Sequence, residues 1–335
     1  MTHPFVSIII PSRNEELFLS RCLDSIIAND YPQNRLEVII VDGMSDDRSR
    51  EIIEHYIQKY SYIRILDNHE KIIPHALNIG IHNTKGDIIM RMDAHTSYAE
   101  NYISRCVSAL QETDADNVGG ILKVVPRVNT LLGQSIVCSL SHIFGIGNAY
   151  FRFASSNKRQ WVDTVPFFCC KREVFNKVGF FNEQLIRSED MELNVRIRKQ
   201  GGKILLDPTI LCTYYARSDL ISFWKHNIKN GTWAILPFRY SKVIPVSLRH
   251  LVPLAFVSVL LITSILSLFD PAWSIFLIAF LCLYLTISLI ASLQISFHKK
   301  DIRFLLFMPF VFASLHIGYG LGSLYGLITV YTKRQ

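Results

Sequence analysis

Two aspartates, Asp42 and Asp93, stand where this sequence could do chemistry, and a further carboxylate pair, Glu189-Asp190, stands apart from them. Asp42 directly follows the apolar run 36–41, and Asp93 directly follows the run 87–92. Both runs read as buried strands, so both carboxylates fall at strand ends. In sheets whose strands alternate with helices, ligands bind in the crevice beyond the carboxyl ends of the strands. Hard divalent cations take carboxylate oxygens. A cation held by Asp93 could bridge a diphosphate and stabilise it as a leaving group, the Lewis-acid role of a metal. Each residue also has a purely local reading. Asp42 before Gly43 suits a turn or cap, and Asp93 suits a helix cap. Ser188-Glu-Asp-Met-Glu192 suits an N-cap followed by acidic first-turn residues.

The elements that must position these residues show as an alternation. Strands are predicted at 5–10, 36–41, 63–66 and 87–92, and helices at 15–28, 49–60 and 75–83. Alternating strands and helices imply an α/β layer architecture with a mostly parallel sheet. The apolar stretch 131–153 is broken by Gly133, Gly145 and Gly147 and carries His142 and Arg152. It reads either as a core helix or as a segment lying on a membrane.

After Ile244 the pattern changes. Half of the 335 residues are hydrophobic, and they concentrate toward the end of the chain. Residues 251–269, 272–297 and 304–330 carry no charge, and each is long enough to span a bilayer. The first two form a hairpin turned at Asp270-Pro271. The third carries Pro309, His316 and small residues at Gly318, Gly320, Gly322 and Gly326, which suit close helix packing. Lys225, Lys229, Arg239, Lys242 and Arg249 precede the hairpin, and basic residues follow it at 298–303, so both its ends are predicted to be cytoplasmic. The third segment is either re-entrant or a full span that places Lys333 and Arg334 outside; a full span is the expectation. The net charge of +7 comes without a basic stripe interleaved with aromatics, so nucleic acid is not an expected partner. Anionic lipid headgroups and diphosphate are. The seven cysteines fit no disulfide framework and read as reduced.

Four motifs together carry a family resemblance. Val6-Ser-Ile-Ile-Ile-Pro-Ser-Arg-Asn-Glu-Glu16 resembles the opening signature of the family-2 glycosyltransferases, and Val41-Asp-Gly-Met-Ser-Asp-Asp47 resembles their second signature. Met92-Asp-Ala-His95 takes the place of their Asp-x-Asp element, and Ser188-Glu-Asp190 that of the Glu-Asp element holding the catalytic base. Order and spacing match through about residue 235, and the whole pattern is most similar to the succinoglycan glucosyltransferase branch of bacterial exopolysaccharide synthesis. The resemblance implies a GT-A-like nucleotide-binding domain at 1–235, an interfacial linker at 236–250 and a membrane region at 251–330. It implies that Asp42 holds the base or ribose of a nucleotide-sugar, with Pro11, Arg13 and Glu15 lining the same pocket. Asp93, with His95, would ligate a divalent cation, Mg²⁺ or Mn²⁺. Asp190 would be the general base that deprotonates the attacking hydroxyl, and Glu189 would position the acceptor or the loop. Asn78, in the 71–80 stretch with His75, would orient the donor loop or serve the structure.

Two departures bear on that scheme. Gly43 stands where many relatives have a second aspartate. His95 replaces the last aspartate of Asp-x-Asp, and imidazole suits softer metals, so a weaker or Mn²⁺-tolerant site is predicted. His95 could instead contact phosphate or cap a helix. Processive relatives carry Gln-x-x-Arg-Trp where this chain has His226-Asn-Ile-Lys229-Asn-Gly231-Thr-Trp233. Arg217, His226, Lys229 and Trp233 are therefore acceptor or diphosphate candidates, and an interfacial amphipathic helix is the alternative. The resulting expectation is an inverting hexosyltransferase of the inner membrane, multi-pass, with its catalytic domain cytoplasmic. It would move glucose from a UDP-hexose to a lipid-linked saccharide, within a polysaccharide assembly complex. The rival expectations are a polyprenyl-phosphate sugar synthase and a catalytically silent scaffold.

Overall fold

The computed structural model describes residues 3–147, 158–243 and 246–332. Arg152, Lys333 and Arg334, weighed above, lie outside the described residues. The chain folds as two compact units: Met1–Lys123, Tyr150–Tyr214 and Ser241–Pro245 form the first, and Val124–Ala149, Tyr215–Tyr240 and Val246–Gln335 the second.

The first unit begins with the predicted alternation: β1 (Val6–Ser12), α1 (Leu19–Ile27), β2 (Leu36–Asp42), α2 (Ser49–Lys59), β3 (Ile63–Asp67), α3 (Ile73–His82) and β4 (Ile88–Arg91). The order β3-β2-β1-β4 is parallel throughout. Helix α1 starts later than the apolar spacing suggests, because residues 14–16 are tied by hydrogen bonds to residues 45–49. Helix α3 starts earlier, with Pro74 in its first turn, where the missing N–H costs nothing. Strand residues alternate between the two faces. Ile8, Ile10, Val38 and Ile40 pack against α1 and α2, while Ile9, Ile39 and Val41 pack against α3.

The sheet then continues with strands that the apolar pattern did not reveal. The elements are β5 (Thr96–Tyr98), α4 (Tyr102–Glu112), β6 (Asn117–Pro126), α5 (Leu131–Ser139), α6 (Ile143–Ile146), β7 (Gln160–Trp161), β8 (Cys169–Lys171), α7 (Arg172–Val178), α8 (Glu189–Lys199) and β9 (Ile204–Ala216). Beyond β4 the order is β8-β6-β9-β5, with β7 also paired to β9. β8 is antiparallel to both β4 and β6, and β5 and β7 are antiparallel to β9. The whole is a mixed α/β sheet of nine strands among the described residues. β6 and β9 run on into the second unit.

The second unit holds α5, α6, α9 (Leu220–Ile235), α10 (Pro237–Tyr240), α11 (Leu248–Leu266), α12 (Pro271–Lys299) and α13 (Arg303–Thr332). The last three are long and apolar enough to cross a membrane. Asp270 caps α12 by accepting from the Ala272 N–H at 2.9 Å, which forms the expected hairpin turn. α13 is one continuous helix despite Pro309. Half of its most apolar window is buried, against 11% for α11 and for α12, so α13 is the central helix and the other two turn their apolar side chains outward. α9, the expected interfacial helix, lies along α13. A Cβ at Gly231 would collide with the Tyr319 carbonyl, and one at Gly322 with the Ile228 carbonyl. Backbones this close need the missing side chains. His316 is satisfied within the unit, by the Phe144 carbonyl at 2.9 Å and the Tyr284 hydroxyl at 3.0 Å.

Candidate functional site

The strand register sets one wall of the site. Ser12, Asp42 and Asp67 are paired side by side across β1, β2 and β3, at the carboxyl ends of three parallel strands. The Asp42 side chain is fully buried. It accepts from the Ser45 N–H at 3.0 Å, the Ser45 hydroxyl at 2.5 Å and Arg50 Nη1 at 2.8 Å. Arg50 Nη2 donates to Asp67 Oδ1, also at 2.8 Å. The turn reading of Asp42 is therefore real: it organises the 42–45 loop. That loop is stitched to the opening motif. Asn14 donates to Asp46 and accepts from its N–H, and the Glu15 and Glu16 N–H groups reach Ser49 and Asp47. Asn14 and Met44 both sit at left-handed φ, 56° and 55°. For methionine this is uncommon, and such outliers gather at ligand sites. A Cβ on Gly43 would stand 3.1 Å from Arg13 Cβ, so the glycine lets the Arg13 stem close over the loop.

The second wall lies at the end of β4. Asp93 receives a fork from Arg91, Nε to Oδ1 at 2.7 Å and Nη2 to Oδ2 at 3.3 Å. Its N–H donates to the Tyr98 hydroxyl at 2.6 Å. The third guanidinium nitrogen, Nη1, donates to Glu189 Oε1 at 2.9 Å. Arg91, Asp93 and Glu189 thus form one buried ionic triad, with side chains 7%, 16% and 6% exposed. His95 turns its Nδ1 to Glu15 Oε1 at 3.2 Å, joining the opening motif to the third one. Its ring meets Tyr214 edge-on.

Ser188 enters α8 at φ 65° and makes no side-chain cap bond. The N-cap reading holds for position, with Glu189, Asp190 and Glu192 in the first turn, but a left-handed serine without a cap bond carries strain that capping does not explain. Glu189 points inward to Arg91. Asp190 is half-buried and accepts from the Met191 N–H at 2.7 Å. Burial pushes the Glu189 carboxyl up to about 7, against the pull of Arg91. Burial also raises Asp190, again with Arg91 opposing. Of the two, Asp190 has the carboxylate not already spent on an arginine.

Asn78 does not reach this crevice as a free amide. Its Nδ2 donates to the Phe181 carbonyl and Glu183, and its Oδ1 accepts from the Phe181 N–H. It fixes the loop that leads to Ser188. His75 contacts Asn68 at 2.9 Å, and Asn68 donates its backbone N–H to the Asp42 carbonyl. Arg217, His226, Lys229 and Trp233 all fall in the second unit, the last three on α9. Pro11, Arg13, Glu15, Asp42, Asp93, His95, Glu189 and Asp190 share the first. Sequence reasoning missed Arg50 and Arg91. Arg91 did leave a signal, a cation as the last residue of a strand otherwise apolar enough to be buried.

The comparisons with known proteins bear on family and fold. The sequence profile of glycosyl transferase family 2 matches residues 7–179, just over half of the chain. A dolichyl N-acetyl-α-D-glucosaminyl phosphate 3-β-D-2,3-diacetamido-2,3-dideoxy-β-D-glucuronosyltransferase of Methanococcus voltae is 26% identical over 68% of this chain and 72% of its own length. The succinoglycan biosynthesis protein ExoA of Rhizobium meliloti is 27% identical over 74% of each chain. Among solved structures, a mannosyltransferase from Pyrobaculum calidifontis, in complex with GDP-mannose and Mn²⁺, is similar over 99% of this chain and 89% of its own, at TM-score 0.63 and 17% identity. That likeness is one of fold.

Proposed function

The chain belongs to glycosyl transferase family 2 and is a glycosyltransferase, and from that premise we propose that it transfers a hexose from a nucleotide-sugar to a lipid-linked saccharide. The observation that carries the site assignment is the Asp93–Arg91–Glu189 triad, which ties the end of β4 to the start of α8 and leaves Asp190 beside it as an uncommitted carboxylate.

Asp190 is the general base. It takes the proton of the acceptor hydroxyl as that oxygen attacks the anomeric carbon, while the bond from that carbon to the diphosphate breaks and the nucleoside diphosphate leaves. One base suffices for a single displacement, which inverts the anomeric centre. Asp42, Pro11, Arg13 and Glu15 hold the nucleotide, uridine in our reading, with glucose as the sugar. A divalent cation, Mn²⁺ or Mg²⁺, fits at Asp93 and His95. A carboxylate has about four lone-pair directions, so Arg91 does not exhaust Asp93. Among the described residues no three His, Cys, Asp or Glu side chains are grouped to cage an ion. Such an ion would draw its other ligands from donor phosphates and water, as Mg²⁺ commonly does. When bound it supplies charge neutralisation at the leaving diphosphate.

Two relatives support a lipid-borne or exopolysaccharide acceptor. One is named for action on a dolichyl-phosphate sugar and the other for succinoglycan biosynthesis. Three helices able to cross a membrane support a multi-pass protein. The basic residues at both ends of the α11–α12 hairpin support a cytoplasmic catalytic unit. In that arrangement catalysis belongs to the 1–235 region, joined through 236–250 to the membrane region, and Arg217, His226, Lys229 and Trp233, which belong to the second unit, are the acceptor or diphosphate candidates. We place it in an inner-membrane polysaccharide assembly. The test is a donor screen with Mn²⁺ and membrane lipid extracts, following label into lipid. Extension of an existing saccharide lipid supports the proposal. A label found only as a monosaccharide on polyprenyl phosphate points to the rival synthase.

A further inference from the structure

We infer that Arg91 is a positioning residue that couples the cation-binding carboxylate to the base-bearing helix, by dividing one guanidinium between Asp93 and Glu189. The inference rests on the assignment of Asp93 as the cation ligand.

The geometry is specific to arginine. Three nitrogens of one planar group reach three carboxylate oxygens on two elements, at 2.7, 3.3 and 2.9 Å. A lysine has a point charge and cannot fork in this way. The guanidinium also lies 5.9 Å from the centre of the Phe167 ring, and the Arg91 N–H donates to the Phe168 carbonyl, so strand and side chain are both held. A buried group hydrogen-bonded to two carboxylates, with Asp190 adding to the negative field around it, sets two things at once. It fixes the direction of the Asp93 carboxylate, and it cancels part of the charge that a cation would meet there. The stronger the hold of Glu189 on Arg91, the more of the Asp93 charge is left for the cation. Cation binding and the state of the α8 start are thereby linked through one side chain.

A simple structural prop makes a different prediction. Losing a prop weakens every function of the site, cation binding included. Losing a competing positive charge strengthens cation binding even as the fold is weakened. The experiment is Mn²⁺ binding alone, followed by electron paramagnetic resonance on the full chain in detergent. Arg91→Met is expected to bind Mn²⁺ about threefold or more tightly than the wild type, since a unit charge a few ångströms away is removed. Glu189→Gln, the gentler change, is expected to bind it about threefold more weakly, because Arg91 then rests on Asp93 alone. Weaker binding in Arg91→Met, or unchanged binding in Glu189→Gln, overturns the inference. If Arg91→Met does not fold, the Glu189→Gln result decides. Asp93→Asn separates the two levels: a wild type that binds no Mn²⁺, or an Asp93→Asn that binds it equally well, sinks the assignment of Asp93 itself.

Discussion

The two strand-end corners of the site are built on the same plan and differ in their water. At one, Arg50 bridges Asp42 and Asp67; at the other, Arg91 bridges Asp93 and Glu189. Arg50 is 35% exposed and Asp67 46%, with only Asp42 fully buried, whereas Arg91 and Glu189 are 7% and 6% exposed. A wet ion pair contributes little and rearranges readily, while a dry one makes the removal of either partner costly. The open corner suits a pocket that must admit and release a nucleotide. The closed corner suits a place where charge must stay fixed while a bond breaks.

That comparison can be broken by measurement. The largest effect is expected from Asp93→Asn, with turnover lowered about 10³-fold if the cation and leaving group depend on it. A loss below about tenfold would place the leaving-group chemistry elsewhere. Next, Arg91→Met should cost about 3 kcal/mol of folding stability and Arg50→Gln about 1, because the former strands two carboxylates away from water, whereas the latter leaves Asp42 its two hydrogen bonds from Ser45 and Asp67 in solvent. Chemical denaturation of the two variants checks this, and equal costs would erase the distinction between the corners. Asp42→Asn should weaken nucleotide affinity about tenfold with little change in kcat, since its contacts are the same in ground and transition states. A fall in kcat at constant KM would contradict that.

The pH profile carries a smaller and more diagnostic signature. Burial raises both Glu189 and Asp190 from their ordinary values, Glu189 to about 7. A base works only when ionised, so activity should be lost as pH falls through the raised Asp190 value, at higher pH than an exposed aspartate would give. Glu189→Gln should leave that acid limb nearly in place, because a Glu189 held up to about 7 is already neutral where Asp190 takes its proton. A large shift in Glu189→Gln would mean that Glu189 is still ionised there.

Much of the first corner was legible before any coordinates. The apolar runs before Asp42 and Asp93 announce parallel strands, and a strand that stops at an aspartate points to the crevice. The antiparallel strands β5, β6, β8 and β9 were not legible. β8 has three residues, and β6 carries Gly119 and Gly120, where a Cβ would run into Val165 and Ile210, so its sequence does not look like a strand. Asn78 left two readings open, orienting the donor loop or serving the structure, and its amide bonds to the 181–183 loop. Arg91 was missed because its pairing with Glu189, 98 residues away, leaves no periodicity to read, and Arg50 because its partners lie on two neighbouring strands rather than on its own helix. The position of α9 against α13 was half visible: the small residues of the third apolar segment signalled close packing, but not which helix would fill the space.

The most direct test is transfer by the purified full-length protein in Mn²⁺, wild type against Asp190→Asn, with nucleotide-sugar donors screened and nucleoside diphosphate release followed. The wild type is expected to turn over at least one donor. Asp190→Asn is expected to lose about 10²-fold or more in kcat while still binding that donor with similar affinity. An Asp190→Asn variant with near wild-type turnover would contradict it, and so would a wild type that binds no nucleotide-sugar in Mn²⁺.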